Sequence, residues 1–216
     1  MLGREESIIK KYELQGALTV KNLEGRHFEA YYCKDRKEAA EKALSLLTPG
    51  SSVSWGGSVT VEETGVTGML YEKGFKVIDR DKAKTPEERL ELMRQALLCD
   101  AFFAGINALS EDGVLINIDG TGNRVAPILF GPKSVILITG MNKVCKTPED
   151  ARARARTYAA PVNAQRIGAQ NTPCALTGSC GDCKSPGCIC SYIVEIRQSK
   201  PAGRIKVILV GEELGL

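Results

Sequence analysis

The chain has 216 residues, of which 43% are hydrophobic and 25% are charged, with a net charge of +3 and one histidine. This is the composition of an ordinary globular protein, and the length is sufficient for a substantial core. The mild charge excludes the dense basic surface that nucleic-acid-binding proteins use. The first residues contain no apolar signal segment, and no stretch reaches the roughly 18 apolar residues of a membrane helix, so we expect a cytoplasmic protein without a membrane span.

The predicted elements alternate between helix and strand. Residues 1–47 form a mainly helical N-terminal segment, with helices at Glu5–Ala17 and Arg36–Leu47 around a short strand at His27–Tyr32. Further strands are predicted at Ser51–Trp55, Phe75–Asp79, Ala101–Gly105, Val114–Ile118, Ser134–Thr139 and Ile205–Val210. Further helices are predicted at Val61–Glu72, Thr85–Cys99 and Thr147–Gln165, with a helical turn at Val125–Phe130.

The strands are continuous apolar runs, which is typical of strands buried on both faces. The sequence therefore predicts an α/β fold of three layers, a mostly parallel sheet with helices on both faces. The weakest helix prediction is Val61–Glu72, because it contains Gly65 and Gly68 and a glycine costs about 1 kcal/mol in a helix interior. We find no repeat or low-complexity linker, so residues 1–216 are predicted to form a single domain.

A first glycine-rich segment, Ser54–Ser58, links a predicted strand to a predicted helix. Glycine lets backbone N–H groups approach a ligand closely, and the start of a helix favours negative charge. Ser58 and Thr60 add hydroxyl groups. The segment matches neither the phosphate-binding loop nor the dinucleotide fingerprint. Two interpretations stay open: an anion site at the carboxyl end of a strand, and a tight turn with Ser58 as a helix N-cap.

A second glycine-rich segment, Asp119–Arg124, follows the strand Val114–Ile118. Turn chemistry explains Asp-Gly but does not require the arginine after the second glycine. An arginine can hold a carboxylate or phosphate through two parallel hydrogen bonds. Asp119 could orient that arginine or accept a ligand hydroxyl. The alternative is a surface turn with a structural Asp119–Arg124 pair.

Three ordered segments, SWGGSVTVEETG, NALSEDGVLINIDGTGNRVA and GPKSVILITGMNK, resemble the LUD-domain family of the lactate utilisation protein C type. The resemblance extends from about Ile8 to Gly215 and implies a NagB/RpiA/CoA-transferase-like fold, which binds anions at strand ends. Carried over residue by residue, it implies the catalytic candidates Asp119, Arg124 and Glu63. It also implies the ligand-binding candidates Gly56, Gly57, Ser58, Thr60, Asn107, Gly120, Gly122, Asn123 and Lys143.

The resemblance implies a function in the oxidation of lactate, or a similar small 2-hydroxy acid, to pyruvate beside iron–sulfur redox partner proteins. The expected ligand is then a small carboxylate or another anion, held by Arg124 and by N–H groups of the first glycine segment. Two alternatives stay open: a redox-silent isomerase or CoA-transferase-like enzyme with structural zinc, and a non-catalytic subunit of a lactate-oxidising complex. A homo-oligomer is compatible with all three.

Residues 171–191 form a predicted cysteine-rich loop with the spacing C-x5-C-x2-C-x4-C-x-C. Four thiolates can bind zinc or hold a [4Fe–4S] cluster, but this spacing matches neither the zinc-ribbon nor the bacterial ferredoxin pattern, and a metal-free loop is a third alternative. Some LUD-domain sequences are similar here, with the pattern PC…TGxCxDCxSP…IC. This similarity implies Cys174, Cys180, Cys183 and Cys190 as ligands, with Cys188 as a further candidate. Cys188 stands where the relatives usually have a basic residue, and the family's redox chemistry favours iron–sulfur over zinc.

Overall fold

The computed structural model describes residues 2–216, which form nine α-helices and ten β-strands. The helices are α1 Arg4–Gly25, α2 Arg36–Ser45, α3 Val59–Glu63, α4 Val66–Glu72, α5 Pro86–Gln95, α6 Val125–Leu129, α7 Pro148–Arg154, α8 Ala160–Arg166 and α9 Pro173–Thr177. The strands are β1 Glu29–Cys33, β2 Ser52–Trp55, β3 Lys76–Ile78, β4 Ala101–Gly105, β5 Ala108–Ser110, β6 Leu115–Asp119, β7 Ser134–Gly140, β8 Val144–Cys145, β9 Tyr192–Ile196 and β10 Ile205–Val210. None of the helices so described has both the length and the hydrophobicity needed to span a bilayer.

Six strands form one parallel sheet in the order β1-β10-β7-β4-β2-β3. Helices α2, α3 and α4 cover one face of this sheet, and α1 packs on the other. The predicted three-layer α/β class, with a mostly parallel sheet and helices on both faces, is confirmed. Because all six strands run in the same direction, the loops that follow them meet at one edge of the sheet.

The strands of the large sheet send alternate side chains into two cores. In β7, Val135 and Leu137 are fully buried in the core beneath α1, whereas Ile136 and Ile138 are fully buried in the core beneath α2 and α4. The neighbouring strand β10 follows the same alternation, with its Val207 opposite Leu137. Burial on both faces explains why these strands are apolar throughout.

A second sheet, in the order β8-β5-β6-β9, was not predicted, although its strand β6 was. It is mainly antiparallel, since β6 pairs antiparallel with both β5 and β9. One face, with Leu109 and Leu115, packs into the core beneath α1; the other, with Ala108 and Ile116, packs against α7 and α8. Strands β5 and β8 have only three and two residues, too few to show a periodicity in sequence.

The helix boundaries also differ from prediction, most clearly at the end of α1 and within the segment Val61–Glu72. Helix α1 extends to Gly25, well past Ala17, because Leu23 in its last turn is fully buried against the sheet. The helix predicted at Val61–Glu72 is divided into α3 and α4 by Gly65, which has a φ of +72°. This left-handed conformation is open to glycine and closed to most other residues, so the division lies at a glycine.

Candidate functional site

A cavity of about 310 Å³ lies where the carboxyl ends of the strands meet. The loops after β2, β3, β4, β6 and β7 all contribute to its wall, as expected for a ligand site in an open α/β sheet. The two glycine-rich segments, far apart in sequence, are thereby brought to one cavity. Of the predicted site residues, the lining includes Gly57, Ser58, Thr60, Asn107, Asp119, Gly120, Asn123, Arg124 and Lys143.

Three predicted site residues lie outside this lining, and each has a structural contact. A Cβ on Gly56 would lie 2.7 Å from the Cγ of Arg124, so only glycine leaves room for that side chain. Gly122 has a φ of +84° and forms part of the turn. Glu63 is exposed, and its carboxylate accepts a 2.7 Å hydrogen bond from the backbone N–H of Gly215. The role of these three residues in binding or catalysis stays a prediction.

The first glycine segment contains the predicted helix N-cap, while its interpretation as an anion site stays a prediction. The Ser58 hydroxyl accepts the N–H of Val61 at 3.3 Å, so Ser58 is the N-cap of α3. The backbone N–H groups of Gly57 and Ser58 have no acceptor among residues 2–216 and adjoin the cavity. The segment therefore turns the chain and also leaves two donors free for a ligand.

Asp119 fixes the second glycine segment by binding its backbone. One carboxylate oxygen accepts the N–H groups of Thr121 and Gly122, at 3.2 and 3.0 Å. The other accepts those of Arg124 and Val125, at 3.0 and 3.1 Å. Four charge-assisted hydrogen bonds hold the loop in one conformation and leave these four N–H groups unavailable to a ligand.

Arg124 is also held by the protein, through both terminal nitrogens of its guanidinium. Nη1 donates to the Gly105 carbonyl at 2.8 Å and to the Asn117 amide oxygen at 2.7 Å. Nη2 donates to the Asn107 amide oxygen at 2.8 Å and to the Ile118 carbonyl at 2.6 Å. These bonds occupy all four terminal N–H groups, so Arg124 joins the loop after β4 to β6. Its predicted contact with a ligand carboxylate is untested.

Arg80 is a cation of the cavity wall that the sequence did not indicate. Its side chain is 12% exposed, and its Nε is buried without a hydrogen-bond partner in the described chain. The nearest carboxylate oxygen, on Asp81, lies 3.8 Å from Nε and is bound more closely, at 2.7 Å, by Arg89. A Cβ on Gly57 would be 2.6 Å from Nη2 of Arg80, so this glycine makes room for the guanidinium.

Lys143 is buried at the end of the turn after β7 and lines the same cavity. Its Nζ donates to the Thr60 hydroxyl at 2.8 Å and to the Ile106 carbonyl at 3.4 Å. Burial, followed by the charges of Arg154 and Arg124, lowers the pKa of Lys143 to about 7. The amine is therefore close to half-protonated at neutral pH.

The charged residues of the lining are Arg80, Asp119, Arg124, Lys143 and Arg166. Four of these five side chains are basic, and the one side-chain carboxylate already accepts four N–H groups. Burial lowers the pKa of both Arg80 and Arg124, which shows that their positive charges are poorly solvated. A small anion would relieve this excess of positive charge.

The cysteine-rich loop forms a second, smaller cavity. It is lined by all five cysteines of the loop, namely Cys174, Cys180, Cys183, Cys188 and Cys190. Burial and then the neighbouring thiols raise the pKa of Cys190 to about 12, whereas hydrogen bonds from Ser185 lower the pKa of Cys183. Arg156, in the π-helical turn Ala155–Ala159 between α7 and α8, holds Asp182 of the loop at 2.5 Å.

The donor set of this cavity fits a thiolate-bound metal group, because five soft ligands face one space. Within the described part of the chain, no three His, Cys, Asp or Glu side chains close around the position of a single ion.

The two cavities share a wall. Ile189 lines both of them, and its backbone lies 3.4 Å from the position that a Cβ on Gly120 would take. Helix α8 also adjoins both, with Asn163 on the side of the first cavity and Pro161 on the side of the second. Because Ile189 lies between Cys188 and Cys190, the cysteine loop itself forms part of the wall of the first cavity.

Comparison with known proteins identifies one family, since the profile of the LUD domain matches residues 16–210. No curated protein sequence gives a significant match. A solved structure of a DUF162 family protein from Deinococcus radiodurans is similar at 12% identity, covering 97% of this chain and 99% of that chain with a TM-score of 0.49. The ribose 5-phosphate isomerase from Plasmodium falciparum is similar at 18% identity, covering 51% of this chain and 52% of that chain with a TM-score of 0.32. Ribose 5-phosphate isomerase A from Neisseria gonorrhoeae is similar at 15% identity, covering 63% and 67% of the two chains with a TM-score of 0.35.

Proposed function

Since the chain belongs to the LUD-domain family, which is linked to lactate utilisation, we propose that its strand-end cavity binds a small carboxylate such as lactate or pyruvate. The observation that carries this proposal is the side chain of Arg80, which is 12% exposed in the cavity wall and whose buried Nε has no hydrogen-bond acceptor in the described chain. Its one carboxylate neighbour, Asp81, is 3.8 Å away. A buried donor without an acceptor is unfavourable, and a bound anion would supply an acceptor.

The size of the cavity supports a small ligand. Its volume of about 310 Å³ is at the lower end of the range for ligand pockets, which is roughly 300–1,000 Å³. In this proposal Arg80 and the free N–H groups of Gly57 and Ser58 bind the carboxylate. Arg124 and Asp119 hold the loops that shape the cavity, and Lys143 faces the remaining polar atoms of the ligand.

Substitution of Arg80 tests this assignment. Arg80→Ala should weaken the binding of pyruvate and lactate by roughly tenfold to a hundredfold, since a charge-assisted hydrogen bond contributes about 1.5–3 kcal/mol. Isothermal titration calorimetry measures the effect directly. The matched control is Arg94→Ala, because Arg94 is 67% exposed on α5 and lies outside the cavity lining.

Two outcomes would contradict the proposal. One is equal affinity for pyruvate in wild type and Arg80→Ala, which would remove Arg80 from the site. The other is binding of sugar phosphates or CoA esters, but not of 2-hydroxy or 2-oxo acids, which would favour an isomerase or CoA-transferase-like enzyme instead. Thermal-shift measurements separate these ligand classes, because a ligand that binds only the folded state raises its stability.

We further propose that the cysteine loop holds an iron–sulfur cluster through Cys174, Cys180, Cys183 and Cys190. This rests on the five cysteines that line one cavity and on the similarity of the loop to other LUD-domain sequences. When bound, such a cluster supplies one-electron transfer. Together the two sites suit a component of a lactate-oxidising system, with the ligand cavity and the cysteine-lined cavity on either side of Ile189.

A further inference from the structure

Lys143 differs from the other cations of the cavity because it can change its charge near neutral pH. It is 3% exposed, and its Nζ has one close acceptor, the hydroxyl of Thr60 at 2.8 Å. The Ile106 carbonyl is more distant, at 3.4 Å. No carboxylate lies within ion-pairing distance of Nζ among residues 2–216.

The groups that face Lys143 come from several elements. Arg154 of α7 and Arg124 before α6 contribute positive charge, and Glu63 of α3 contributes a more distant negative charge. Arg154 is held in place by the carbonyls of Asn107, at 2.6 Å, and Asn142, at 3.2 Å. The amine is thus surrounded by more positive than negative charge, and its side chain is almost fully buried. These surroundings disfavour a protonated amine until a negative charge enters the cavity.

We propose that Lys143 is the proton-exchanging residue of this cavity and takes up a proton when a small carboxylate binds. This inference rests on the proposed function, because it concerns the same site and ligand. The proton comes from the solvent, so one anion and up to one proton enter together and the net charge of the cavity is unchanged.

The proton gives Lys143 a third N–H group. An ammonium has three donors, of which Thr60 and Ile106 accept two, and the third is free for an oxygen of the ligand. In a 2-hydroxy or 2-oxo acid, the oxygen on the second carbon is the polar atom nearest the carboxylate. With Arg80 on the carboxylate, Lys143 would donate to that oxygen, which predicts a preference for these acids over simple carboxylates.

Calorimetry of the whole protein with pyruvate tests the proposal. The observed enthalpy, measured in buffers of different ionisation enthalpy, gives the number of protons taken up. We expect between about half and one proton per pyruvate at about pH 8, falling towards zero at about pH 5.5, where Lys143 is already charged. The affinity should fall as the pH rises above about 7, by up to roughly tenfold per pH unit.

Two variants assign the proton to this residue. Lys143→Met should abolish the proton uptake and weaken pyruvate binding roughly tenfold or more. Lys146→Met is the matched control, because Lys146 is exposed, pairs with Glu111 at 2.5 Å and lies outside the cavity lining. The pH dependence of uptake in the wild type tests the same point without any substitution, should Lys143→Met fail to fold.

The outcomes are distinct. Pyruvate binding without proton uptake at any pH overturns the inference and leaves the proposed function intact. Covalent capture of pyruvate on Lys143 by borohydride also overturns it, because the amine would then act as a nucleophile. Absence of binding by both pyruvate and lactate contradicts the proposed function and, with it, this inference.

Discussion

Asp119 accepts four backbone N–H groups, two on each carboxylate oxygen, and this makes it the fixed point of the loop after β6. The role follows from the side chain's length and from the two glycines that let the loop curl around it. Any effect of Asp119 on ligand binding would then pass through the position of the loop. Stability and affinity should therefore change together when this residue is altered.

We expect Asp119→Asn to lower the free energy of unfolding by about 2–4 kcal/mol. An asparagine offers only one acceptor oxygen, so two of the four N–H groups would face an amide donor instead. Chemical denaturation measures the loss. Asp81→Asn, an exposed partner of Arg89, should change stability by less than about 1 kcal/mol, as surface pairs do. A stable Asp119→Asn variant that has lost ligand binding would show that Asp119 contacts the ligand.

The residues of the site differ in how clearly sequence motifs indicate them. Gly57, Ser58 and the loop around Asp119 lie in glycine-rich segments, so their pattern predicted a cavity at the strand ends. Arg80 lies in a short turn after the three-residue strand β3, in no motif, and the surrounding sequence is rich in other charged residues. Only the fold shows that the guanidinium of this arginine lies against Gly57 and that its Nε has no hydrogen-bond acceptor in the described chain.

At the level of elements, the division between α3 and α4 has a simple physical cause. Gly65 and Gly68 both lie in the segment predicted as one helix, and a Cβ on either would meet nothing within 4 Å. Gly65 has a φ of +72°, whereas Gly68 lies within α4. The two positions differ in backbone conformation, not in packing.

Alanine at these two positions should therefore have opposite effects. Gly65→Ala should destabilise the protein by roughly 1–2 kcal/mol, because a side chain disfavours the left-handed conformation. Gly68→Ala should stabilise it by about 0.5–1 kcal/mol, because alanine favours the helix. The unfolding midpoints of the two variants and the wild type give the test, and a shift of both in the same direction would show that the division is not set by Gly65.

The strands of the second sheet, apart from β6, could not be predicted from hydrophobic periodicity. The central strands of the large sheet are apolar and buried, and each of its six strands was predicted within a few residues. Strand β9 lies beyond the cysteine-rich loop, and its Tyr192 and Ile193 are about half exposed, so no buried run indicated it. Its pairing with β6 is set by the tertiary fold, which brings Ile196 opposite Leu115.

At the scale of the whole molecule, the two cavities are connected by a shared residue and by helix α8. Ile189 lines both, and the loop also contacts α8, where Gln165 donates to the carbonyls of Cys174 and Ala175 at 2.9 and 3.1 Å. A metal group that draws the cysteines together would fix Ile189 and the adjoining helix. The anion cavity would then need less ordering when its ligand binds.

We therefore predict that protein carrying an iron–sulfur cluster binds pyruvate at least roughly fivefold more tightly than cluster-free protein. Anaerobic preparations of the wild type, Cys183→Ala and Cys188→Ala, assayed for iron and sulfide and then titrated with pyruvate, make the comparison. Cys183→Ala should lose both the iron and the tighter binding, whereas Cys188→Ala should keep both, since Cys188 is outside the proposed ligand set. Coupling between two sites is reciprocal, so pyruvate should in turn slow the loss of iron to a chelator. Equal affinities with and without iron would mean that Ile189 separates the sites without linking them, and iron-free wild type from a strictly anaerobic preparation would contradict the cluster itself.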